Sequence, residues 1–257
     1  MSTWKPLLTL VAGAILASRA GAVPVAVTTH GPESTSLNGM IAVGDLISGL
    51  IATELVGDQG WHPAVSDPLD RLPAFTDDAG IRGTGLTGLL NDFPGVGAPA
   101  KRIQYALAAP SDVGKIQILS GNNGKDGRVF STTVIHTSSD GGGSFSPLGY
   151  FQSDPSGTIN TGQWGSTMVT ITNAGGGFLA TGVTHLVFEL FAVDNTGGQM
   201  RDPFDGVNPY TGVDDGLTAA FVSPLIFEID VLTVPEPASI AAALTALGGL
   251  AALRRRR

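Results

Sequence analysis

The chain has 257 residues, 42% of them apolar and only 14% charged, which excludes a globally disordered polymer. It contains no cysteine, so neither a disulfide framework nor a thiolate zinc site is available. Its charge is uneven: residues 23–234 carry 8 basic and 21 acidic side chains, a net charge of −13, which repels nucleic-acid phosphates and suits neutral glycans or cations such as calcium.

In chain order, the first segment reads as a secretory signal. Lys5 gives a positive start, residues 7–17 (LLTLVAGAILA) are a short apolar core, and Ala20-Gly21-Ala22 is a small-x-small cleavage site. Residues 1–22 are therefore expected to be removed, leaving a body that starts at Val23. Within it, Leu46, Leu50 and Leu55 can share one face, which predicts a helix over residues 44–55. Asp58, Asp67, Asp70, Asp77 and Asp78 follow in an irregular acidic region.

From there the pattern is that of strands. Residues 115–120 (KIQILS), 166–173 (STMVTITN) and 225–231 (LIFEIDV) alternate with period two, which predicts strands with one buried face. Residues 184–193 (THLVFELFAV) are apolar on both faces, as in a central strand. Further strands are expected at 103–108, 128–137 and 145–152. The connections at 121–127, 140–143 and 175–177 are rich in Gly, Asn and Asp, residues that accept positive φ in tight turns. Short strands without a βαβ rhythm predict an all-β antiparallel sandwich, as one domain over residues 25–232.

Chemistry is sparse. The four histidines (His30, His62, His136, His185) show no zinc-ligand spacing, and there is no nucleophile elbow or phosphate loop. The loop at 201–215 (RDPFDGVNPYTGVDD) is the best binding candidate, since Phe204, Asp205, Asn208 and Tyr210 combine aromatic faces with polar groups, as sugar sites do. Trp61 and Trp164 are other possible platforms, Trp164 reading more readily as core.

The C-terminus has three parts: Pro235-Glu236-Pro237, an uncharged apolar stretch at 238–253, and Arg254 to Arg257. The apolar stretch as a helix would be about 24 Å long at 1.5 Å per residue, slightly short for a hydrocarbon core of ~30 Å. The terminal arginines would stay cytoplasmic, placing the body outside the inner membrane. Residues 234–257 resemble the PEP-CTERM sorting signal of Gram-negative bacteria. The resemblance implies a transmembrane sorting helix, recognition and cleavage by an exosortase-type protease, transient inner-membrane anchoring, and release to the cell surface or an exopolysaccharide matrix.

The body resembles the discoidin family, the coagulation factor 5/8 type C or galactose-binding-like domain. The likeness lies in residues 116–130, in the Ser138-Ser139-Asp140-Gly141-Gly142 turn before Phe145, and in the closing Phe227-Glu228-Ile229-Asp230-Val231. It implies an antiparallel jelly-roll sandwich and a structural calcium held by Asp77 and Glu228, with backbone carbonyls completing an oxygen cage. Taken together, these features predict an exported, non-catalytic protein that binds carbohydrate such as extracellular polysaccharide. Two other readings are a structural matrix protein without a specific ligand and a secreted polysaccharide hydrolase using carboxylates between Asp58 and Asp78.

Overall fold

The computed structural model describes residues 22–92, 97–194 and 200–233. The expected signal segment, the Pro235-Glu236-Pro237 motif and the apolar stretch at 238–253 lie outside the described residues. Among those described, no helix is long and apolar enough to cross a membrane.

Among the described residues, nine strands form two antiparallel sheets. They are β1 (Pro24–Gly31), β2 (Thr53–Glu54), β3 (Lys101–Val113), β4 (Lys115–Gly121), β5 (Thr132–Ser138), β6 (Ser146–Gln152), β7 (Ser166–Asn173), β8 (Ala180–Leu190) and β9 (Ile226–Leu232). One sheet has the order β1-β7-β4-β9 and the other β2-β3-β8-β5-β6. The predicted alternation is the reason they pack. Ile116, Ile118, Val169, Ile171 and Ile229 of the first sheet share one core with Ile103, Tyr105, Ile135 and Phe188 of the second. Each such buried apolar side chain contributes roughly 1.5–3 kcal/mol over leaving it in water.

The outer face of the four-stranded sheet is covered rather than solvated. Leu119, Met168 and Phe227 point there and pack against Leu37, Val65 and Leu89 of the long irregular region between β1 and β3. In the register, Glu228 lies opposite Leu119 and Asp230 opposite Gln117, so both acids share this covered face. Each is only 1% exposed.

The predicted helix over 44–55 does not form. Gly44 and Gly49 take positive φ (73° and 70°), which breaks any helical path. The Leu46 amide donates to the Val231 carbonyl, and the Asp45 carboxylate accepts from the Val231 amide, so this segment is stitched along the free edge of β9. Leu46 and Leu50 are spaced to reach the core, not to line a helix. The predicted strand at 128–137 begins later, because residues Gly127–Val129 form a 3-10 turn capped by Asp126. The central strand expected at 184–193 runs instead from Ala180 to Leu190.

Candidate functional site

Two places concentrate chemistry. The first is an acidic pocket beneath β9. Asp77 Oδ1 and Glu228 Oε2 both accept from the Ala79 amide, at 3.1 and 3.2 Å, so the two sequence-predicted metal ligands converge on one N–H. Three further acids, none of them among the expected metal ligands, join them. Asp230 Oδ2 accepts from the Ala42 amide at 3.1 Å. Asp45 Oδ1 accepts from Ile47 and Val231 at 2.9 and 3.0 Å. Asp78, at a left-handed φ of 56°, binds the Ser48 hydroxyl and the Gly44 amide.

This pocket is under electrostatic stress. Burial, then the charges of Asp230 and Asp77, push the Glu228 carboxyl up to about 9. Burial, with Asp45 and Asp78 nearby, pushes Asp230 up to about 7. Asp45 and Asp77 are raised as well, chiefly by burial. Arg82 reaches only the rim, 3.5 Å from Asp77. Glu228 Oε1, Asp230 Oδ1 and Asp45 Oδ2 are buried with no hydrogen-bond partner. Such oxygens demand either protons or a hard cation. The donors here are all oxygens. No group of three or more His, Asp or Glu side chains among the described residues is arranged to hold a metal. A calcium there would therefore rely on Asp77 and Glu228 together with backbone carbonyls and water.

The second place is the loop at 201–215. It borders a cleft of about 380 Å³ whose lining includes Asp154, Asp202, Asn208 and Asp215 and no Lys, Arg or His. Tyr210 stacks on Tyr150 of β6, with centroids 5.1 Å apart and planes 1° from parallel. It is 46% exposed. Phe204 backs it at 5.9 Å and also meets Phe191. Asn208 is the organiser of the loop. Its side-chain oxygen accepts from the Tyr210 and Thr211 amides, and its nitrogen donates to the Tyr150 hydroxyl and to Asp202. Asn208 is buried, so its part is to hold Tyr210, whereas Asp205 is exposed. Tyr150 carried no signal in the sequence, because it is one residue of an ordinary strand.

Other candidate groups are engaged elsewhere. The Trp61 face is covered by Lys101 Nζ, 4.1 Å from the ring centroid. Trp164 is half-buried and stacks on His30. Among the acids between Asp58 and Asp78, Asp70 and Asp77 share Arg82 at 3.5 Å each, and the others have separate partners. Asp58 pairs with Lys101, Asp67 caps a 3-10 turn, and buried Asp70 binds Thr84 and Thr87. No protein-family model, curated protein or solved structure matches the chain.

Proposed function

We propose that the protein is exported, processed at its C-terminal tail by an exosortase-type protease, and works at the cell surface or in the extracellular matrix as a non-catalytic carbohydrate-binding module. The jelly-roll form of the sandwich is part of this reading. The chain passes from one sheet to the other at β1/β2, β3/β4, β4/β5, β6/β7, β7/β8 and β8/β9, which supports a double Greek-key wrap. A structural calcium beneath β9, held by Asp77 and Glu228, belongs to the same proposal. The partnerless Glu228 oxygen supports it.

The observation that carries the binding reading is Tyr210. An aromatic side chain nearly half exposed would ordinarily be mobile. This one is held flat against Tyr150 and tied down by Asn208. A rigid exposed ring presents its face to the C–H surface of a sugar at little cost in side-chain entropy. The acidic surface favours neutral polysaccharide over anionic polysaccharide.

Affinity electrophoresis through gels containing neutral polysaccharides tests the reading. The full-length chain in detergent should be retarded by at least one of them. Tyr210→Ala should weaken retention about tenfold, the equivalent of ~1.4 kcal/mol. Equal mobility in all gels would remove the carbohydrate reading.

A further inference from the structure

The outer face of the five-stranded sheet carries a row of side chains outside the loop at 201–215. The register aligns Arg102 (β3), Glu189 (β8), Val134 (β5) and Tyr150 (β6) across four neighbouring strands. At ~4.8 Å per strand the row is about 14 Å long, which leaves room for more than one pyranose ring. His136 lies in the next row and reaches back. Arg102 Nε donates to Glu189 Oε1 at 2.8 Å, and His136 Nε2 lies 3.4 Å from Glu189 Oε2. Both oxygens of Glu189 are therefore engaged. The His136 contact, with Arg102 adding to it, holds its carboxyl below the usual range.

The arrangement leaves polar groups on offer. Arg102 Nη1 is bound to the Val56 carbonyl, while Arg102 Nη2 and His136 Nδ1 have no hydrogen-bond partner among the described residues. The Arg102 side chain is 39% exposed and that of His136 24% exposed. Val134 and Val187 lie between them and are buried. Tyr210, stacked on Tyr150, ends the row. Burial and the nearby Glu189 charge both raise its phenol, which places the ring within electrostatic reach of this carboxylate.

We propose that this face is the sugar-orienting surface of the protein, on which Arg102 donates to, and His136 Nδ1 accepts from, the hydroxyls of a neutral hexopyranose polymer that packs on Tyr210, both side chains being anchored by Glu189. The inference rests on the carbohydrate reading and locates its site on the sheet rather than in the cleft. The free Nη2 of Arg102 carries two N–H donors, held in a fixed plane by the Glu189 and Val56 contacts. The Arg102–Glu189 pair cancels in charge, so the row attracts no net charge. The acidic body around it repels uronic-acid polymers.

The test uses the full-length chain in detergent with dextran, galactan and mannan as neutral probes and alginate as the anionic one. Calorimetric dissociation constants are compared for four variants. Arg102→Met and His136→Gln should each weaken the best neutral probe about tenfold. Val213→Trp, which fills the cleft from an exposed position, should bind as the parent does. Should Arg102→Met fail to fold, Arg102→Lys keeps the charge and loses the fork, and weaker binding is again expected. Parental affinity in the foldable Arg102 variant and in His136→Gln, or loss of binding in Val213→Trp alone, would overturn the sheet-face assignment while leaving carbohydrate binding intact. A parent that binds no probe would overturn both, whereas a preference for alginate would overturn the neutral sheet-face assignment and leave carbohydrate binding standing.

Discussion

At Gly88 the chain passes over β9 with no room for a side chain. A Cβ built there would lie 1.7 Å from the Ile226 carbonyl oxygen, and the residue holds a φ of +61°. The reason for the close approach is on either side of it. The Gly88 amide donates to the Asp70 carbonyl, and its own carbonyl accepts from Ile226. Asp70 is in turn buried and bound by Thr84 and Thr87. One glycine thus joins the acidic loop to the closing strand. Gly88→Ala should cost more than about 3 kcal/mol, since both the backbone angle and the methyl are disallowed. Urea denaturation with an unchanged midpoint would show that the loop shifts freely and that this contact holds nothing.

Lys101 sets the behaviour of an element, the β2–β3 edge. It starts β3 fully buried, with Nζ 2.8 Å from both Glu54 of β2 and Asp58 and over the Trp61 ring. Asp58 also accepts from the Arg102 amide, so one carboxylate fastens the loop to the strand. Burial works against ionising Glu54, yet Lys101 overrides it and holds the carboxyl below its usual range. Lys101→Met keeps the volume and removes the charge that both acids face. A loss of about 3 kcal/mol is expected, with part of it recovered by adding Asp58→Asn. Stability equal to the parent's in thermal unfolding would mean that solvent reaches these acids freely.

The same scale shows what a sequence can disclose. β4, β7 and β9 were legible because alternate apolar positions, such as Ile116 and Ile118, Val169 and Ile171, and Ile229 and Val231, face one core, although Leu119, Met168 and Phe227 pack on the other face. β1 was not, because its pattern is inverted: Val25 and Val27 point outward and are exposed while Ala26 and Thr28 lie toward the other sheet. The leucines of residues 44–55 mimicked a helix because anchoring a loop to a core can use the same spacing. Of the acidic pocket, Asp77 and Glu228 could be marked by resemblance. Asp45 and Asp230 meet only through folding, being 185 residues apart in the chain. The alternation of β9 put Glu228 and Asp230 on the face away from the core, but it put Phe227 with Ile229 and Ile226 with the acids, whereas a register shift turns Ile226 to the core and Phe227 to the outer face. It could not reveal that a distant loop covers that face. Phe204 and Tyr210 could be read as aromatic, but their partner Tyr150 lies 60 residues before Tyr210.

The acidic pocket governs the whole molecule through protons. In the folded state Glu228 is pushed up to about 9 and Asp230 to about 7. In the unfolded chain they return to roughly 4.3 and 3.9. Between those values the folded state holds protons that the unfolded chain has released. Its stability is therefore fullest at low pH and falls as pH rises, through about 7 for Asp230 and about 9 for Glu228, by up to ~1.4 kcal/mol per unit for each group. With chelator present, the melting temperature should decline from about pH 5 to pH 9. Glu228→Gln should flatten the upper half of that decline, because an amide has no proton to lose. Calcium competes with the same protons, so on the proposed reading its stabilising effect should grow with pH and be largest where the metal-free protein is weakest. A metal-free melting curve that is level across this range would mean that water reaches these carboxylates. A decline that calcium fails to reverse would leave the pocket as a proton-stabilised core and remove the metal from the proposal.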